Sequence, residues 1–104
     1  MDTKNELFHK IYAKAYIRKG ELERAIKSYK SIGKQLTYNE YKECGINAFK
    51  NGLYYFGTKA FGYIDEKPTL ELLQDCINYL MDNEAYERAS EPIKEMASIL
   101  EITR

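Results

Sequence analysis

The chain of 104 residues has no tryptophan, one histidine, two cysteines and two prolines, and it carries no net charge. Two prolines are too few for a linker or a disordered segment. The lone histidine, His9, has no nucleophile or orienting carboxylate in a recognisable pattern beside it, which argues for packing or surface duty rather than catalysis. The cysteines, Cys44 and Cys76, lie 32 residues apart with no further soft ligands nearby. A zinc site needs more donors than that. They read instead as small buried hydrophobes. No glycine-rich phosphate cradle and no paired-carboxylate motif appears. The expectation is a protein that is not an enzyme, with no cofactor and no metal. No apolar run approaches the roughly 20 residues that a membrane helix requires. The first residues, Met1 to Glu6, are polar and hold no signal core, so the expected location is cytoplasmic, with the thiols reduced.

What is abundant is tyrosine, ten residues of it, and charge, 31% of the chain. The charge is unevenly placed. Residues 1–36 hold nine Lys/Arg against four Asp/Glu, a net +5; residues 37–67 balance; residues 68–104 hold three against eight, a net −5. A partner would meet a basic N-terminal end and an acidic C-terminal end.

The chain repeats itself with a period of 32. GELERAIKSYKSI begins at Gly20, GLYYFGTKAFGYI at Gly52 and EAYERASEPIKEM at Glu84. Large apolar residues recur at Leu22, Tyr54 and Tyr86, small ones at Ala25, Gly57 and Ala89, and large ones again at Tyr29, Phe61 and Ile93. Steps of three and four place these on one helix face. A second helical stripe precedes each copy: Phe8, Ile11, Tyr12, Ala15 and Tyr16; then Tyr41, Cys44, Gly45, Ala48 and Phe49; then Leu70, Leu73, Cys76, Ile77, Leu80 and Met81. Turn signals fall at Lys19-Gly20, Asn51-Gly52 and Asp82-Asn83, where Gly or Asn accepts the left-handed backbone that ends a helix. Thr37 to Glu40 reads as a capping box. Pro68 suits the first turn of a fifth helix.

The expected fold is all-α. It comprises six helices near 5–18, 21–33, 38–50, 53–65, 69–81 and 84–102, paired as three antiparallel helix hairpins (5–36, 37–67 and 68–102). They form one domain spanning residues 1–104, stacked as a short right-handed α-solenoid. Pro92 falls inside the sixth helix, where an interior proline costs about 3 kcal/mol. A kink or restart near residues 89–92, capped by Ser90, is the expected escape.

The repeat resembles the tetratricopeptide repeat family. Ala13, Tyr16 and the run Gly20-Glu21-Leu22-Glu23-Arg24-Ala25-Ile26-Lys27-Ser28-Tyr29 carry the likeness in copy one. Gly45, Tyr54, Gly57 and Phe61 carry it in copy two, and Tyr86 and Ala89 in copy three. The family's period is about 34 residues, two more than here. The resemblance implies a scaffold whose first helices line a concave, peptide-binding groove. The groove positions it implies are Lys10, Lys14, Ile17 and Arg18 from copy one, Lys42, Ile46, Phe49 and Lys50 from copy two, and Asn78 and Met81 from copy three. Some relatives clamp a chaperone's terminal carboxylate with Lys, Asn and Arg. Lys10 fits that clamp, whereas Glu71 and Asp75 stand where cations belong and argue against it.

The implied function is therefore a non-catalytic adaptor that binds an acidic peptide or helix. Two alternatives stand beside it. A nucleic-acid-binding repeat could use the basic stripe Lys10, Lys14, Arg18, but the −5 C-terminal third would repel phosphates. A self-assembling structural protein could use the surplus apolar residues of the last helix, Ile93, Met96, Ile99 and Leu100, in a homo-oligomer. Tyr55 and Tyr63 have no place in the repeat core and read as exposed interface aromatics.

Overall fold

The computed structural model describes residues 3–102. Six helices occupy them: α1 (Thr3–Lys19), α2 (Leu22–Lys30), α3 (Tyr38–Lys50), α4 (Tyr54–Tyr63), α5 (Leu70–Asp82) and α6 (Tyr86–Ile102). No strand occurs among the described residues. Each odd-numbered helix pairs with the next to form a hairpin, and α3 packs between α1 and α5. The three hairpins follow one another in chain order as a slab of 54 × 29 × 16 Å. Its radius of gyration, 15.3 Å, exceeds the roughly 13 Å of a compact domain of this length.

The 32-residue period is visible in the backbone itself. Gly20, Gly52 and Glu84 have φ of 75°, 73° and 58°. At each, the N–H donates to the carbonyl three residues back, and the next N–H donates to the carbonyl five back from itself (Glu21 to Tyr16, Leu53 to Ala48, Ala85 to Leu80). This double closure satisfies the last carbonyls of the first helix in every hairpin. The turns between hairpins repeat likewise, at Gly33 (φ 69°) and Asp65 (φ 54°). The threonines that follow, Thr37 and Thr69, are also 32 apart, and each accepts a backbone N–H at 3.1 Å to cap α3 and α5. Glu40 completes the capping box by accepting from the Thr37 amide at 3.0 Å. Pro68 precedes the cap rather than occupying the first turn of α5.

The third hairpin departs from the period. The residue 32 after Asp65 is Ala97, inside α6, so no closing turn forms and α6 runs unbroken for 17 residues against nine in α2. The expected restart near residues 89–92 does not occur. Ser90 caps nothing; its hydroxyl donates to the Glu87 carbonyl at 2.8 Å. Pro92 is fully buried at the position that Ala60 fills one hairpin earlier. Burial of the ring offsets part of the cost of the missing N–H.

Two apolar clusters hold the stack. The first joins Ala13 and Ile17 of α1, Leu22, Ala25 and Tyr29 of α2, and Ile32, Leu36, Cys44 and Ala60. The second joins Phe49, Phe61, Leu73, Cys76, Leu80 and Ala89, with Met96 and Ile99 packed against it. Helix α3 contributes to both, which couples the hairpins. Close approach within hairpin two depends on Gly57: a Cβ there would lie 2.8 Å from the Phe49 ring. Its counterparts are Ala25 and Ala89.

The core stripe of α1 is not the expected one. Phe8, Ile11 and Tyr12 are exposed, and burial falls on Ala13, Ile17 and part of Tyr16. Tyr12 lies beside Arg24, Lys27 and Ser28 of α2, on the face that the preceding hairpin covers in α3 and α5.

Candidate functional site

The first helices of neighbouring hairpins, α1, α3 and α5, pack side by side. On α1, Lys14 and Arg18 are exposed, and Lys10 lies 3.4 Å from Glu6, one turn earlier. On α3, Lys50 is exposed, and Lys42 pairs with Glu66 at 3.2 Å. Glu66 also accepts the Tyr38 hydroxyl, and together these donors hold its carboxyl below the ordinary value. On α5, Asn78 is exposed and accepts from Gln74 at 2.8 Å, and Met81 is exposed as well.

Two of the expected groove residues are not there. Ile17 is 1% exposed and Phe49 0%. Both point into the core, where the following hairpin covers them: Ile17 clusters with Cys44 and Ala60 of hairpin two, and Phe49 with Leu73, Cys76 and Leu80 of hairpin three. No ligand in the groove can reach them. Ile46 is intermediate: it packs against the second cluster and also lines a depression. Of the expected self-association residues, Met96 and Ile99 are partly buried in the second cluster, whereas Ile93 and Leu100 are exposed.

That depression, a cavity of about 320 Å³ between α3 and α5, is lined by Lys42, Ile46 and Lys50 on one side and by Glu71, Leu72 and Asp75 on the other, with Glu66 and Lys67 at the rim. Cations and carboxylates face one another there, so the middle of the groove is close to neutral. The basic character gathers on hairpin one. The position at which hairpin two sets Glu66 against Lys42 holds Lys34 against Lys10, since each pair is related by 32 residues. The neighbouring Lys10 charge lowers the pKa of Lys34. Like charge replaces the ion pair of hairpin two at this place. Among the described residues no ion pair holds Arg18 or Lys50, and the charge of Lys14 acts on Glu40.

A larger cavity, about 590 Å³, lies elsewhere, lined by Ile26, Lys30, Lys34, Leu36, Tyr41 and Tyr63 among others. Tyr41 and Tyr63 stack with centroids 4.7 Å apart and planes 13° from parallel. The sequence marked Tyr63 as surplus to the core but placed Tyr41 inside it. The pairing is long-range, and nothing in the local spacing announces it. Tyr55 is exposed, with the Lys59 ammonium 5.8 Å from its ring centroid.

Cys44 and Cys76 are free and buried, and burial pushes their thiols up to about 12 and about 11. Thiols held so far from ionisation are inert packing groups. His9 lines a shallow pocket with Tyr12, Tyr16 and Arg24. Among the described residues no cluster of His, Cys, Asp and Glu could hold a metal. No helix among them is long and apolar enough to cross a membrane.

No family model, curated protein or solved structure compared with this chain matches it.

Proposed function

We propose that the chain is a non-catalytic interaction module of tetratricopeptide type, binding an acidic peptide segment along α1 and the neighbouring part of α3. The observation that carries this reading is the concentration of cations on hairpin one and the adjoining end of α3. Arg18 of α1 and Lys50 of α3 are exposed with no ion pair among the described residues, Lys14 is exposed and its charge acts on Glu40, and Lys34 stands beside Lys10 at the place where hairpin two has a salt bridge. Like charges held together on a surface are relieved by an anion placed between them. The carboxylates of α5, Glu71 and Asp75, bias such a segment toward hairpin one, because like charge across an interface is costly.

The test is fluorescence anisotropy with a labelled peptide rich in Asp and Glu. Binding at low salt that weakens as salt rises, and that is lost in Lys14→Glu/Arg18→Glu, supports the reading. An absence of binding at low salt sinks it. So does affinity unchanged by the double substitution.

A further inference from the structure

Several contacts that join one hairpin to the next have counterparts at the two ends of the stack, displaced by the repeat. Lys59 of α4 is bonded to Glu23 of α2, the ion pair between hairpins one and two. Thirty-two residues before Lys59 stands Lys27; sixty-four after Glu23 stands Glu87; both are exposed. Arg88 donates to the Gly52 carbonyl at 3.2 Å, from hairpin three to hairpin two. Its counterparts at the ends are Arg24 and the carbonyl of Glu84. Tyr29 and Glu40, hydrogen-bonded between hairpins one and two, correspond at the ends to Ile93 and Phe8. A polar pair inside the chain becomes an apolar pair at its termini.

The exposed residues at the ends match positions that are covered inside. Tyr12 is 53% exposed, whereas its counterparts Cys44 and Cys76 are fully buried. Met81 is 45% exposed, against 1% and 0% for Ile17 and Phe49. Ile93 is 46% exposed, against 6% and 3% for Tyr29 and Phe61. The two end faces are therefore the two halves of one interface, already formed twice within the chain. Their charges are opposite, +5 in residues 1–36 and −5 in residues 68–104.

We propose that a second copy of this chain stacks on the first head to tail. Hairpin one of one copy covers hairpin three of the other, with Lys27 set against Glu87, Arg24 against Glu84, and Phe8 and Tyr12 against Ile93 and Met81. The junction is wider at one corner than those inside the chain. Glu84 carries a side chain at the place where Gly20 lets the Ala48 backbone approach; a Cβ on Gly20 would lie 2.3 Å from the Ala48 amide nitrogen. A head-to-tail contact uses different faces on each copy, so it does not close at two and grows with concentration. It uses the ends of the stack and not the groove, and it stands or falls apart from peptide binding.

Sedimentation velocity across a concentration series at low and high salt tests it. Weight-average mass rises with concentration at low salt and falls back as salt is added. Lys27→Glu alone and Glu87→Lys alone each weaken association roughly tenfold. An equimolar mixture of the two variants restores it, because each head then meets a tail of opposite sign. Phe8→Asp mixed with Ile93→Asp gives dimers and nothing larger, since one variant keeps only its tail and the other only its head. All four positions are exposed, and far-ultraviolet circular dichroism confirms that the variants fold. A monomer at every concentration overturns the proposal and leaves the ends to another protein. A closed dimer, or association unmoved by both charge variants, overturns it as well.

Discussion

Tyr29 donates its phenolic proton to Glu40 at 2.6 Å, tying the second helix of hairpin one to the first helix of hairpin two. Burial first, and Glu40 after it, push Tyr29 up to about 12. Burial also works to raise Glu40, but the Tyr29 hydroxyl, the amide and hydroxyl of Thr37 and the charge of Lys14 outweigh it, and the carboxyl ends below its ordinary 4.5. The signs are opposite. Glu40, depressed in the fold, stabilises fully above 4.5, and that contribution is lost as pH falls through its folded value. Tyr29, raised in the fold, stabilises fully below 10 and loses that contribution as pH climbs toward 12. Urea unfolding against pH should therefore show a plateau with both limbs falling. Tyr29→Phe should cost about 1 kcal/mol at neutral pH, move the Glu40 titration upward in carboxyl NMR, and remove part of the alkaline limb. Tyr54, also pushed up to about 12 by burial and by Glu95, supplies a share that should remain. An alkaline limb unchanged in Tyr29→Phe would refute the coupling.

Gly57 makes a second test, because helix propensity and packing predict opposite signs. Alanine is favoured over glycine by about 1 kcal/mol in a helix interior. At Gly57 the added methyl would sit 2.8 Å from the Phe49 ring, a fully buried side chain with little room to retreat. Overpacking of that kind costs about 1–3 kcal/mol. Gly57→Ala should therefore destabilise, by about 1 kcal/mol net, in chemical denaturation. Stabilisation would show that Phe49 can shift, and that the glycine is not what sets the distance between α3 and α4.

The backbone at Glu84 leads to a prediction of gain. A side chain held in the left-handed region costs about 1–2 kcal/mol, and glycine gives back roughly half of that through its freer unfolded chain. Glu84→Gly, which restores the residue found at Gly20 and Gly52, should raise stability by about 0.5–1 kcal/mol. Asp65→Gly should gain less, since aspartate tolerates this conformation better. Thermal unfolding of both variants decides the order, and a loss at Glu84 would mean that its side chain makes a contact worth more than the strain.

Glu84 also marks the boundary of what the sequence reveals. The hairpins, the caps at Thr37 and Thr69 and the closing glycines were legible because each is a local chemical requirement repeated every 32 residues. The left-handed residue of the third turn was not. Residue type points to Asp82-Asn83, whereas hydrogen bonding places it at Glu84 by register. Pro92 misled for the same reason: a local penalty was weighed without the burial that offsets it. Family position points Ile17 and Phe49 to the groove, but each is covered by the hairpin that follows it, a contact that local spacing does not reveal. The Lys10–Lys34 crowding and the Tyr41–Tyr63 stack are contacts between separate elements, and neither spacing nor composition announces such contacts.

Lys34 offers the sharpest separation of stability from binding. In hairpin two the equivalent residue is Glu66, which pairs with Lys42 at 3.2 Å. Lys34→Glu should reproduce that arrangement in hairpin one, replacing a repulsion between Lys10 and Lys34 with an ion pair. Thermal stability should rise slightly, because a like-charge contact is removed and an exposed pair is gained. Affinity for an acidic peptide should fall, because a cation of the basic cluster has become an anion facing the ligand. The salt dependence of what binding remains should be shallower, since fewer cations take part. A structural role for Lys34 alone would change the melting temperature and leave the peptide affinity where it was. That outcome would remove Lys34 from the binding surface and leave Lys14 and Arg18 to carry it.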